Sequence, residues 1–101
     1  MFGDMLSKLQ EAQQKMQEGK QKLGSVIIDG DAGNGLVKVS VTGNREVKAI
    51  SINNQLMAPD KKEELEDLLI TALNRALTKA EQAFDDEMKG LAGGMLGGLG
   101  L

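Results

Sequence analysis

A chain of 101 residues with a formal net charge of -3, two Phe as its whole aromatic content, and neither Cys nor His is one domain burying roughly two thirds of its unfolded surface. The missing Cys and His exclude disulfides, thiolate metal sites and the commonest general base. The acidic balance excludes a uniformly basic surface, and Phe2 and Phe84 alone make no stacking platform for single strands. Nucleic-acid contact, if present, falls to local patches and to a duplex backbone.

Met1 to Lys8 include Asp4 and no continuous apolar run, so no signal peptide is expected. No segment is long enough to cross a bilayer, and a cytoplasmic location is expected.

From Phe2 to Leu23 the apolar or small residues are Phe2, Met5, Leu9, Ala12, Met16, Gly19 and Leu23. Their spacing alternates three and four, a heptad seam along a helix. Asp4 to Lys8, Glu11 to Lys15 and Glu18 to Lys22 are acid-first i,i+4 pairs, each expected to contribute ~0.3 kcal/mol. Gly24 suits the end of that helix.

Val26, Ile27 and Ile28 open a first strand, expected from Ser25 to Asp31. Asn34-Gly35 predicts a hairpin turn, and a second strand follows from Leu36 to Thr42. Val37, Val39 and Val41 share one face of it, with Lys38, Ser40 and Thr42 on the other. Gly43-Asn44 predicts a second turn, and Glu46 to Ile52 a third strand. Val47 and Ile50 are out of phase there and predict a bulge.

Pro59-Asp60 opens a second long helix, with Asp60 and Glu63 spaced as a capping box. Its apolar face includes Leu65, Leu68, Leu69, Ala72, Leu73, Ala76, Leu77, Ala80, Ala83, Phe84 and Met88. Asp60 to Lys89 spans about 45 Å as a helix, against about 20 Å for a six-residue strand. Half of the stripe then overhangs the sheet and asks for a partner. From Gly90 to Leu101 glycines alternate with Leu91, Met95, Leu96, Leu99 and Leu101, which predicts a flexible tail. The domain is expected to be 1–89 and the tail 90–101. The fold class is α+β: helix, three-stranded antiparallel meander, long helix and Gly-rich tail.

Four segments in this order resemble the YbaB/EbfC family of bacterial nucleoid-associated proteins over nearly the whole chain. They are Leu6-Ser7-Lys8-Leu9-Gln10-Glu11-Ala12-Gln13-Gln14-Lys15-Met16-Gln17, Gly33-Asn34-Gly35-Leu36-Val37-Lys38-Val39, Asp60-Lys61-Lys62 with Leu65-Glu66-Asp67-Leu68, and Ala72, Asn74 and Ala76. Ile52-Asn53-Asn54-Gln55-Leu56 departs from the family by lacking the Asp-Pro step often found after the third strand. The resemblance implies a tweezer-like homodimer whose sheet regions associate and whose helices project as arms. It also implies binding of duplex DNA in the nucleoid with limited sequence preference.

Lys8, Lys15 and Lys22 recur every seven residues, about 10.5 Å apart on a helix, a spacing that follows phosphates along one side of a duplex. A solvated helix with internal ion pairs accounts for the same lysines. Lys20 has no acid four residues before it. Arg75 and Lys79 form a like-charged i,i+4 pair that an anion would relieve. Lys8, Lys15, Lys20, Lys22, Arg75 and Lys79 are therefore the candidate DNA contacts. Lys38, Arg45 and Lys48 lie on the meander, where a basic rim at its turn end is the lesser reading beside neutralisation by cross-strand partners such as Glu46.

Met5, Leu9, Ala12, Met16, Val37, Val39 and Val41 are the candidates for dimer or helix packing, Met serving as adaptable filler. Asp85-Asp86-Glu87 cannot converge on one cation from consecutive helix positions. Gly33-Asn34-Gly35 precedes a strand, whereas a phosphate-binding loop precedes a helix. No metal, cofactor or small-molecule substrate is expected. An enzyme built on Glu46 or Asp31 would need a pocket that no spacing suggests. The competing reading is a protein-binding adaptor that uses the helical seam and the apolar tail without DNA.

Overall fold

A computed structural model describes residues 2–98. Helix α1 (Phe2–Ser25) leads into strands β1 (Ile27–Ala32), β2 (Val37–Thr42) and β3 (Val47–Ile52), then two 3-10 turns (Asn54–Leu56 and Pro59–Lys61) and helix α2 (Lys62–Gly98). The strands form an antiparallel sheet in the order β1-β2-β3, so the α+β meander read from the sequence is the fold observed.

The first hairpin loop is longer than a two-residue turn. Ala32 pairs with Val37, and Gly33, Asn34 and Gly35 all take positive φ between them, at 65°, 56° and 87°. Glycine carries no steric penalty in that region and asparagine little. In the second hairpin Ser40 faces Ala49 while Val41 faces Val47, so Lys48 is the extra residue of a bulge. The bulge returns Val47 to the face that carries Ile50.

That face packs on α2. Ala32, Val37, Val39 and Val41 from the sheet meet Ala72, Ala76 and Ala80 from the helix, joined by Leu56 from the first 3-10 turn. Alanines every four residues flatten one side of α2, and Gly30 in mid-strand lets the helix backbone come down on β1. A Cβ at Gly30 would collide with the backbone of Ala72 and Ala76. Glycine inside a strand marks this kind of close approach, and that cue was not drawn from the sequence.

Two helix ends differ from expectation. No capping box forms at the second helix: the N-cap of the turn leading into it is Ala58, which has no side-chain cap, and Pro59 takes the first position. Proline is pre-set for that place, where an N–H would have no partner within the helix. A side-chain cap appears earlier, where Asn53 accepts from the Gln55 N–H. At the far end α2 continues to Gly98, so residues 90–98 are helical where a flexible tail was expected. Leu91 lies against Gly19 of α1 there, and tertiary packing of this kind offsets weak helix propensity. The side chains of Phe2, Met95, Leu96, Leu99 and Leu101, expected in the seam or the tail, lie outside the described residues.

The molecule measures 69 × 21 × 16 Å because both helices run past the sheet. The root of α1 is tied to the β2–β3 turn. The Gly43 N–H donates to Leu23 O (2.9 Å) and Val26 O (3.2 Å), and Asn44 Nδ2 donates to Lys20 O (2.8 Å). Leu23 is buried in this joint.

Candidate nucleic-acid interface

The candidate cations divide between two places. Lys8, Lys15, Lys20 and Lys22 stand exposed along α1, whereas Arg75 and Lys79 lie on α2 beside the free edge of β1. The three acid-first pairs expected on α1 do not form. Among the described residues the ion pairs are Lys22–Glu87 (3.5 Å), Lys61–Glu64 and Lys62–Glu66. Exposed pairs gain so little that water competes with them on equal terms. Lys8 and Lys15 thus keep their charge unpaired by protein among the described residues, while Lys22 turns to α2.

Arg75 and Lys79 are relieved by main-chain oxygen. Arg75 Nη1 donates to Asp31 O (2.9 Å) and Lys79 Nζ to Asp29 O (3.0 Å). These carbonyls point away from β2, so the two cations close an edge that would otherwise offer a template to another strand. Thr71, Asn74 and Thr78 line a shallow hollow with them. Arg75→Ala with Lys79→Ala is expected to lower stability in urea by about 1–2 kcal/mol and to leave the salt dependence of DNA binding unchanged. A reduced salt slope would return both residues to the DNA contact.

Lys38, Arg45 and Lys48 do not gather into one rim. Lys38 sits opposite Asp31 near the first hairpin loop, while Arg45 lies in the second turn with its guanidinium 5.8 Å from the Phe84 ring centroid. Lys48 is in the bulge close to that second turn, so the three cations are split between the ends of the sheet.

Val37, Val39 and Val41 are fully buried beneath α2. The outer seam of α1 is not covered within the chain: Met5, Leu9 and Met16 are exposed and Ala12 is half-buried. On β3, Val47 and Ile50 share the helix-side face but α2 lies over β1 and β2, leaving each of them 49 % exposed. The Asn53 N–H donates to Leu36 O (2.8 Å). By strand alternation the N–H and C=O groups of Ile50 and Ile52 then face outward.

The profile of the YbaB/EbfC DNA-binding family matches residues 1–95. The chain belongs to the YbaB/EbfC family. A nucleoid-associated protein of Afipia carboxidovorans is 44% identical over 101 residues, covering 99% of this chain and 96% of the relative. Another from Flavobacterium johnsoniae is 42% identical over 88 residues, 87% of this chain and 81% of the relative. An uncharacterized protein of Helicobacter pylori has a crystal structure similar to this one, with TM-score 0.74 and 26% identity over 95% of this chain and 97% of that one. YbaB/EbfC is a DNA-binding family rather than an enzyme family. No described helix is long and apolar enough to cross a membrane.

Proposed function

We propose that the chain acts as a homodimer in the bacterial nucleoid, within the cytoplasm, binding duplex DNA through its backbone. Binding alters DNA conformation or compaction and affects gene expression indirectly. The observation that carries this reading is the row of Lys8 and Lys15 on the projecting α1 of a DNA-binding family member, unpaired among the described residues. Lys22 continues the row toward the sheet, where it pairs with Glu87, and Lys20 stands on the other flank of the helix. Side chains one heptad apart, about 10.5 Å along the axis, meet successive phosphates without reading bases.

The dimer is supported by an asymmetry of the sheet. Arg75 and Lys79 close the β1 edge, whereas β3 presents outward main-chain groups together with Val47 and Ile50. A second copy brought to β3 would cover that strip and leave two α1 arms projecting. Relatives named nucleoid-associated across most of the chain agree with this role.

The test is fluorescence anisotropy of a labelled generic duplex over a range of salt, with sedimentation mass measured in parallel. Affinity is expected to fall with salt by ~0.9 power per phosphate neutralised. Lys8→Ala with Lys15→Ala is expected to reduce the slope by about 1.8 for each arm in contact. A dimer with no salt-sensitive binding would overturn the DNA reading in favour of a protein-binding adaptor.

A further inference from the structure

The apolar seam of α1 is covered at its root, half-covered at Ala12 and exposed at Met5, Leu9 and Met16. Gly19 is buried with Glu87 and Leu91 of α2 beside it, and Leu23 is buried in the joint with the sheet. Farther out, Met5, Leu6, Leu9 and Met16 are 65, 58, 60 and 46% exposed. Met5, Leu9, Ala12 and Met16 occupy successive a and d positions of the heptad, which places Lys8, Lys15 and Lys22 at g, along one flank. Where this seam is covered, its flanking lysine meets an acid: Lys22 Nζ lies 3.5 Å from Glu87 Oε2. Lys8 and Lys15, beside the bare part, have no ion pair or hydrogen bond among the described residues.

We propose that the outer part of α1 is a docking face for an amphipathic helix of another protein, one whose apolar seam is flanked by carboxylates. Met5, Leu9 and Met16 would pack into its seam, and Lys8 and Lys15 would pair with its acids as Lys22 pairs with Glu87.

The α1 helix of a second copy does not fit. In an antiparallel pair the g rows face each other, lysine against lysine. In a parallel pair Lys8 and Lys15 face the e positions, Gln13 and Lys20. Neither arrangement brings an acid to the row, and like charges there disfavour pairing. A duplex at this flank would meet the lysines through its phosphates and leave Met5, Leu9 and Met16 in water, so it does not account for the apolar seam beside them. The inference does not depend on the DNA reading, but the two share Lys8 and Lys15, so duplex and helix exclude one another at that flank.

The full chain would be titrated into a labelled synthetic helix with Leu at a and d and Glu at e and g, and into a matched helix with Lys at e and g. The Glu helix is expected to bind at least about tenfold more tightly. Met5→Ser with Leu9→Ser, both at exposed positions, is expected to weaken that binding about tenfold or more while duplex affinity stays unchanged. Equal binding of the two helices, no binding of either, or full binding by the doubly substituted chain would overturn the proposal. Duplex binding on the same samples separates the two readings. Its loss with peptide capture intact overturns the DNA reading alone, and the converse overturns the docking face alone.

Discussion

Gly30→Val is expected to destabilise the fold by about 3 kcal/mol or more, the upper end of what overpacking costs. The reason is what the new side chain would strike. A Cβ at position 30 collides with Ala72 O and Ala76 N and comes within 2.9 Å of Ala76 Cα, all of them backbone, which no rotamer change can clear. Either α2 lifts away from β1 or the strand bends outward. In both cases the contact of Ala72, Ala76 and Ala80 with Val37, Val39 and Val41 opens, and the hydrogen bonds from Arg75 and Lys79 to β1 lengthen. Urea denaturation followed by circular dichroism measures the loss. A change below about 1 kcal/mol would mean that α2 does not rest on Gly30 in solution.

Ile50→Lys is expected to convert the proposed dimer into a monomer. Ile50 is 49% exposed in the single chain, so the isolated domain accommodates the substitution, and the damage falls on association. Two-fold pairing across β3 would bring two lysines to one desolvated strip, where like charges cost several kcal/mol. The sedimentation mass is expected to halve. Duplex affinity is expected to fall by about tenfold or more, because two tethered arms bind with an effective concentration that a single arm lacks. A variant that remains dimeric would place the interface elsewhere.

Most of the fold was legible because side-chain periodicity reports which face is buried. The alternation of Val37, Val39 and Val41 gave β2 its inner face, and the broken phase between Val47 and Ile50 located the bulge within β3. What the sequence left hidden depends on main-chain groups brought together from a distance. Arg75 and Lys79 read as an unrelieved like-charged pair, since the carbonyls that relieve them lie 44 and 50 residues earlier in the chain. Glycine composition misread the end of α2 in the same way: propensity describes an isolated helix, and Leu91 against Gly19 is a tertiary contact. The lysines of α1 were legible as a row, but their expected acid partners were not realised, because exposed i,i+4 pairs are too weak to fix long side chains.

The joint at the foot of α1 has a mechanical consequence. Among the described residues the hydrogen bonds and the ion pair that tie that helix to the rest of the chain lie between Gly19 and Ser25, so the remaining length is a lever about 21 Å long from Gly19 to Met5. A tilt of about 15° at the root carries the tip through about 5 Å, roughly one helical pitch. Small adjustments of the Gly43-Asn44 turn against Leu23 and Lys20 are thereby multiplied at the end where Lys8 and Leu9 sit. In the proposed dimer the aperture between two such levers would be set by a handful of hydrogen bonds at their pivots rather than by anything along their length.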